Sequence, residues 1–321
     1  MKELIIEKND SEQRLDRFLK KYLLDASTGF IYKMIRKKNI KVNDKKATPE
    51  MIVVEGDVVQ LFLSDETIEK FKGKREIRTS KLRPRILYED ENIILINKDA
   101  GVLSHGTGVE FEENIVDSMI VYLIEKGEFV PRIEKTFSPS ICNRLDRNTS
   151  GIIIGAKNHD ALKAMNKAIK EGFVNKYYKT IVKGKIKEDF QDTAYLTKDE
   201  ENNKVHIWED EEEGGKEITT KFKVLSNKGD FTLLEVQLIT GRTHQIRSHL
   251  RSLGYYVIGD RKYGDRQVND SFNKEFGLEN QWLHGYRVVF NGLEAPLEYL
   301  NLKEFIAPPN KLMENIEKNI F

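Results

Sequence analysis

The chain has a single cysteine, Cys142, which excludes an internal disulfide and any multi-cysteine zinc or iron–sulfur site and fits a reducing cytoplasm. No uninterrupted apolar run reaches ~18 residues, and the N-terminal MKELIIEKND has no apolar segment of signal-peptide length, so a cytoplasmic protein with no membrane partner is expected. Signatures of nucleotide cofactors are missing as well. There is no G-x-S-x-G elbow, no P-loop lysine motif and no dinucleotide-type glycine fingerprint, and His105-Gly106-Thr107-Gly108 is a glycine turn without the helix such a motif requires. His244 and His249 are five apart, a poor spacing for joint metal ligation on a helix, and no metal is expected. Net charge is nearly absent: 53 Lys+Arg against 52 Asp+Glu leave +1, which excludes disorder driven by net charge and any global field announcing a nucleic-acid partner. Internal repeats and low-complexity tracts do not occur.

What is present suffices for a sizeable core, with 39% hydrophobic and 9% aromatic residues. At 321 residues the chain is about twice the ~150-residue prior for one domain, so two folded units of unequal size are expected. The neutral total conceals opposed patches. Between Phe30 and Lys46, Lys33, Arg36, Lys37, Lys38, Lys41, Lys45 and Lys46 face only Asp44, and between Lys70 and Arg85 eight bases face only Glu76. The counterweight lies between Glu188 and Glu213, where eleven acids face Lys198 and Lys204 and the run EDEEEGG reads as a solvated loop. A basic stretch is commonly just a solvated face; two in succession also fit a polyanion-binding surface.

Along the chain, Ser11 is placed to cap a helix with Leu15, Phe18, Leu19, Tyr22 and Leu23 on its apolar face. A short helix after Thr28 and Gly29 turns Ile31, Met34 and Ile35 inward and Lys33, Arg36, Lys37 and Lys38 outward. IKVND and VVEGDVVQLFL read as strands about turns, and residues 64–83, poor in apolar groups, read as a basic linker. Beyond Arg85 the pattern is larger: a buried strand over 92–97, a helix over 114–124, a strand over 151–156, a helix over 160–170, then strands over 178–182, 218–226 and 231–239. A helix over about 243–253 and strands over 285–290 and 297–302 follow. Without regular βαβ alternation, this is an α+β pattern on a mainly antiparallel mixed sheet.

Two polar clusters stand out. In Asn143-Arg144-Leu145-Asp146-Arg147-Asn148-Thr149-Ser150-Gly151, Asp146 sits on a loop entering a buried strand between two arginines; a plain Asx or Ser/Thr turn is the bland alternative. In TGRTHQIRSHL, residues 240–250, Arg242 and Arg247 near a helix N-terminus suit an anion, whether phosphate or carboxylate, and a salt-bridged surface helix is the alternative. Cys142 has no histidine beside it and reads as a small packed residue.

Taken in order, INKDAGVLSHG (96–106), NRLDRNTSGIIIGAK (143–157), NKYYKTIVKG (175–184), TGRTHQIRSHL (240–250), GYYVIGDRKYG (254–264) and LHGYRVVF (283–290) resemble the RluA-type pseudouridine synthases, which isomerise uridine to pseudouridine in RNA. QRLDRFL, the basic second helix, IKVND and EGDVVQL similarly resemble an S4-type RNA-binding domain. The resemblance implies a small S4-type α/β domain over 1–63, a linker over 64–83 and a catalytic domain over 84–321. Asp146 matches the family's catalytic aspartate, and Tyr178, six residues before Gly184, matches its tyrosine, an offset that Tyr177 does not have. Arg247 matches the arginine that pairs with the aspartate. Arg144, Arg147, Thr149, Arg242, His244 and Gln245, in the same two blocks, are expected to contact substrate, and Lys33, Arg36, Lys37, Lys38 and Lys41 to contact RNA. Asn143 stands where the family usually has His, Asp99 where it has Pro, and Asn291-Gly292 replaces a His-Pro pair.

The resemblance further implies a monomer without cofactor whose partner is RNA, large-subunit ribosomal RNA foremost and transfer RNA next. The residue types suit the chemistry. Moving uracil from an N1 to a C5 attachment breaks a glycosidic bond without releasing the base, and a carboxylate serves by attacking base or ribose, by stabilising charge or by abstracting a ribose proton. A tyrosine offers a flat face to a flipped uracil and a hydroxyl for the C5 proton. A noncatalytic RNA-binding or ribosome-assembly protein is the alternative from another class, and a metal-independent RNA hydrolase a further one.

Overall fold

The computed structural model describes residues 1–73, 79–107, 112–130, 137–199, 204–211 and 214–321. The first unit runs β1 (Lys2–Ile5), β2 (Gln13–Arg14), α1 (Leu15–Tyr22), α2 (Thr28–Arg36), β3 (Ile40–Val42), β4 (Lys45–Lys46), β5 (Ile52–Val53), β6 (Val58–Leu61) and α3 (Asp65–Lys72). Its sheet has the antiparallel order β1-β6-β3-β4, with β2 and β5 paired beside it. Leu15, Phe18, Leu19 and Tyr22 put the buried stripe of α1 at helical spacing, as expected. Ser11 does not cap that helix. Its hydroxyl donates to the Lys8 carbonyl, and residues 13–14 first pair with Val53 and Ile52, so the helix starts only at Leu15. Ser27 caps α2 by accepting from the Phe30 N–H.

The segment read as a linker from residue 64 begins as a helix. The Ser64 hydroxyl caps α3, Ile68 is buried in the N-terminal core, and the Phe71 ring lies 4.5 Å from that of Phe30. Two apolar groups at i and i+3 suffice to dock a two-turn helix, so α3 packs on the N-terminal core. Ser80, Lys81 and Leu82 are tied instead to Glu113 of the larger unit. Lys74, Arg75, Glu76 and Arg78 of the second basic stretch lie outside the described residues, as do Gly108, Glu212 and Glu213.

The larger unit comprises β7 (Ile86–Glu89), β8 (Ile93–Lys98), α4 (Ile115–Glu125), β9 (Ser140–Ile141), β10 (Ser150–Ala156), α5 (His159–Lys170), β11 (Val174–Lys183), β12 (Phe190–Asp199), β13 (Lys204–Trp208), β14 (Lys216–Lys228), β15 (Phe231–Leu238), α6 (Gln245–Ser252), β16 (Tyr256–Val257), α7 (Arg266–Phe276), β17 (Leu283–Phe290), β18 (Glu304–Ile306) and α8 (Lys311–Ile320). One sheet orders them β13-β12-β14-β15-β11-β17-β10-β8-β7, with β16, β18 and β9 flanking. Among the described strand pairs only β10 and β17 run parallel, which makes this the expected α+β fold on a mainly antiparallel mixed sheet. The unbroken apolar runs of β8 and β10 follow from burial on both faces: Ile94, Ile96 and Ile153 enter one core while Ile93, Leu95, Ile152 and Ile154 enter another.

Several readings change. Strands β12 and β13, which had no counterpart in the sequence reading, pair because Ala194, Leu196, Val205 and Ile218 make a small core with Tyr263. Residues 297–302 hold a 3-10 helix, Glu298–Leu300, and a turn through Leu302, whose φ is 64°, and the strand begins only at Glu304. The helices α7 and α8 had no counterpart in the sequence reading; Met313 and Ile316 of α8 pack with Phe272 and Trp282.

Candidate active site

The centre is built where β10 begins. Gly151, at φ 126°, lies opposite Gly285 of β17 so closely that a Cβ would come within 2.3 Å of the Gly285 carbonyl oxygen, and only glycine permits that approach. The loop before it carries Asp146. Asn143 hydrogen-bonds the Ile152 carbonyl and the Ile154 N–H, the Thr149 N–H donates to the Asp146 carbonyl, and the Ser104 hydroxyl bridges both backbone groups of Leu145. Lys98, wholly buried, donates from Nζ to the carbonyls of Asp99, Val102 and Arg147 at 2.9, 2.8 and 2.9 Å. Three carbonyls match the three hydrogens of an ammonium. Burial pulls Lys98 down to about 7, against the charges of Asp146 and Asp99.

Arg247 joins α6 to this loop. Its Nη1 donates to Asp146 Oδ2 at 2.8 Å, while Nε and Nη2 form a fork on Asp260 at 2.7 and 2.8 Å. Asp260 is fully buried and also accepts from the N–H groups of Lys262 and Tyr263. Burial works against its charge, yet Arg247 and these donors hold its carboxyl below the usual carboxylate range. Asp146 therefore has one oxygen locked, while Oδ1 has no hydrogen-bond partner among the described residues.

Tyr178 is buried with its ring against Gly285, at a β-bulge between β11 and β17. Burial and then the charge of Asp146 push its hydroxyl up, so the phenol keeps its proton at neutral pH. Tyr177 points the other way, under the Arg287 guanidinium at 3.8 Å. The surrounding cavity, about 800 Å³, is lined by Arg144, Arg147, Lys176, Lys198, Arg242 and His244 among others, and Asp146 is the only carboxylate in its described lining.

The remaining expected residues divide. Arg144 and Arg147 flank Asp146 in sequence but are exposed and do not pair with it: Arg147 donates to the Gly101 carbonyl and lies 3.6 Å from Glu112. Arg242 is exposed at the cavity wall. Thr149 is buried and accepts from Gln281. Gln245 lines the cavity, and its amide bonds inside the protein to Thr240, the Arg242 N–H and Thr220, which shapes the turn. His244 is not helical. It precedes α6 with φ 56°, and its Nδ1 is 3.0 Å from the Tyr263 hydroxyl; burial and the neighbouring Arg247 hold the imidazole below its usual value. Cys142 is packed, its thiol pushed up to about 12 by burial.

Sequence reasoning missed Asp260, Lys98, Lys176 and Tyr263. All four lie in blocks already singled out, GYYVIGDRKYG, INKDAGVLSHG and NKYYKTIVKG, where a charged or phenolic side chain close to a glycine was the available signal. Lys33, Arg36, Lys37 and Lys38 are exposed, and Lys41 lies over the Phe62 ring at 5.0 Å; none of the five forms an ion pair among the described residues. No described group of three or more His, Cys, Asp or Glu side chains is arranged to hold a metal, and no described helix is long and apolar enough to cross a membrane.

A lone locked carboxylate in a cation-lined cavity, carried beside a small basic module, is the layout of an enzyme that works on a polyanion. The family model for RNA pseudouridylate synthases matches residues 92–252, and that for the S4 domain matches residues 13–59. The chain belongs to the RNA pseudouridylate synthase family. It is 32% identical to ribosomal large subunit pseudouridine synthase C of Vibrio vulnificus (strain CMCP6), covering 98% of this chain and 95% of that one. It is 31% identical to an uncharacterized RNA pseudouridine synthase of Mycoplasma capricolum, over 97% and 98% of the two chains. The fold is shared with human RNA pseudouridylate synthase domain containing 4, at TM-score 0.57 and 22% identity over 73% of this chain and 92% of that one. The resemblance in the blocks around Asp146 and in the N-terminal module thus holds for the family and for both domains.

Proposed function

We propose that the protein converts specific uridines of large-subunit ribosomal RNA to pseudouridine, with Asp146 as the reacting carboxylate. The observation that carries this reading is the asymmetry of Asp146: Oδ2 is held by Arg247 and Oδ1 is left to the cavity. The name of the Vibrio vulnificus relative, a ribosomal large subunit pseudouridine synthase, supports the choice of RNA.

The reaction breaks C1′–N1 and makes C1′–C5; C5 loses a proton and N1 gains one, so atoms and charge balance without an external reductant or oxidant. A stacked uracil exposes neither atom, and the base must be flipped into the cavity. Arg247 fixes the direction of the Oδ1 lone pairs, which serve attack on base or ribose, charge stabilisation or ribose proton abstraction. Tyr178 supplies a flat wall to the uracil. Since its hydroxyl holds its own proton, it takes the C5 proton only by passing that proton on at the same time, with N1, which gains one in the reaction, as the final destination.

Mapping pseudouridines in ribosomal and transfer RNA of a deletion strain, complemented with wild type or with Asp146→Asn, tests the proposal. The expected result is loss at one or a few large-subunit positions, restored by wild type alone. Loss confined to transfer RNA overturns the substrate, and restoration by Asp146→Asn overturns the role of the carboxylate.

A further inference from the structure

On one face of β12 and β14 the cross-strand pairs run Phe190–Phe222, Asp192–Thr220 and Ala194–Ile218, an apolar row interrupted by one polar pair. Phe222, Ile218 and Ala194 belong to the hydrophobic cores, and Thr220 is fully buried with them. A polar pair in such a row is unfavourable unless its groups find partners. They come from α6. His249, also fully buried and edge-on to the Phe222 ring, has Nε2 2.6 Å from Asp192 Oδ2 and Nδ1 3.0 Å from Thr220 Oγ1. Gln245, one turn earlier, has Nε2 3.1 Å from the same Thr220 oxygen and 3.3 Å from the Thr219 carbonyl, and Oε1 2.9 Å from the Arg242 nitrogen.

Two backbone groups fix the direction of this line of hydrogen bonds. The Arg242 N–H can only donate and the Thr219 carbonyl can only accept, so Gln245 turns Oε1 to the first and Nε2 to the second. Thr220 Oγ1 therefore accepts from Gln245 and points its own hydrogen at His249 Nδ1, which leaves the imidazole proton on Nε2, donated to Asp192. A neutral imidazole offers one such acceptor and one such donor. Burial, opposed by Asp192, holds His249 below its usual value, so the ring is neutral at neutral pH. The line runs from a partly exposed carboxylate to the turn of residues 241–244, which lines the active cavity. We infer that His249 is a positioning residue for the RNA substrate: through Thr220 and Gln245 it holds the turn that presents Arg242 to the strand whose uridine occupies the cavity. The inference rests on the protein acting on RNA and not on which RNA. Arg247, on the same helix, is anchored separately by its fork on Asp260, so the line bears on binding and not on Asp146.

The test measures filter binding and saturated single-turnover rate on an unmodified in vitro transcript of bacterial large-subunit ribosomal RNA, with thermal melting as the check on folding. Thr220→Val keeps the shape and removes the hydroxyl, whereas Thr220→Ser keeps the hydroxyl and removes a methyl. Thr220→Val should weaken binding by roughly three- to tenfold with the saturated rate changed far less, and Thr220→Ser should bind like wild type. His249→Asn, whose amide keeps an acceptor for Thr220, should lie nearer wild type than His249→Leu. In an Arg242→Gln background Thr220→Val should cost no further affinity, because the side chain it positions is gone. Asp192→Ala removes the partly exposed end of the line, leaves the core intact and should show the same pattern more weakly, which keeps the test open if Thr220→Val does not fold. A Thr220→Ser defect larger than that of Thr220→Val would assign Thr220 to packing and overturn the proposal. Additive effects of Thr220→Val and Arg242→Gln overturn it too, as does a fall in saturated rate at constant affinity, which would place the line behind Asp146. If wild type binds the transcript without forming pseudouridine, the choice of RNA fails, while the affinity comparison still decides the role of His249.

Discussion

The N-terminal module and the Asp146 cavity use charge in opposite ways. Lys33, Arg36, Lys37 and Lys38 stand exposed on an otherwise apolar core, with no acid paired to them among the described residues. Around Asp146, Lys98, Arg247 and Asp260 are buried, and their polar atoms are matched one to one. Exposed cations act over about 8–10 Å and are weakened by salt, so they gather a polyanion without fixing its position. A buried fork is little screened and costs about 3–5 kcal/mol when one partner is removed, so it holds one oxygen atom in place. Attraction and placement are thus assigned to different parts of the chain.

The largest effect expected from breaking that division is at Asp146. Asp146→Asn should fold, bind RNA and yield no detectable pseudouridine in a tritium-release assay; turnover by the folded variant would remove Asp146 from the chemistry. Arg247→Met should be harmful in a second way, since it leaves Asp260 buried without its cation. A stability loss of ~3–5 kcal/mol, read by denaturant unfolding, should accompany the loss of activity, and a variant as stable as wild type would show that the fork does not bear on the fold. Asp260→Asn, which removes the buried charge itself, should be milder in stability and still loosen Arg247.

Next in size is Tyr178→Phe, which keeps the aromatic wall and loses the hydroxyl: the single-turnover rate should fall by about 10²–10⁴ with RNA binding retained, while Tyr178→Leu also impairs placement. Tyr177→Phe should be mild, because its ring lies under Arg287. A larger defect at Tyr177 than at Tyr178 would reverse the assignment. Removing the N-terminal module should lower affinity and flatten its salt dependence without slowing the saturated chemical step. The cut belongs after α3, at residue 79, since a cut at 63 would strip Ile68 and Phe71 of their core.

The smallest effect is on pH. Burial holds His284 down to about 4, its Nδ1 on the Ser150 hydroxyl and its Nε2–H on the Ala307 carbonyl. The folded value is below the unfolded ~6.5, so the unfolded chain binds the proton more readily. Stability from this group is complete above ~6.5 and is lost as pH falls toward about 4, by at most ~3 kcal/mol. Denaturant midpoints of wild type and His284→Asn across that window are the measurement; parallel curves would assign the loss to other groups.

Much of this was legible in the chain. Helical spacing from Leu15 to Tyr22, the apolar runs of β8 and β10 and the loop of Asp146 are local patterns, and the pairing of Arg247 with Asp146 followed from the family blocks. Local pattern also misled. Residues 64–72 looked like linker because only two apolar groups dock α3, and strands β12 and β13 had no counterpart in the sequence reading because their inward residues are few.

By itself, the sequence determined the elements and the chemical inventory, because periodicity, capping and residue type act within a turn or a strand of one another. Which cation holds Asp146 is decided by tertiary structure, and at the level of the sequence only the family resemblance implied it. Arg144 and Arg147 are its neighbours along the chain, yet the partner is Arg247, 101 residues away, steadied by Asp260 from a third segment. A buried ion pair is selected by distance in space and by the exclusion of water, and neither exists until the sheet has closed around it.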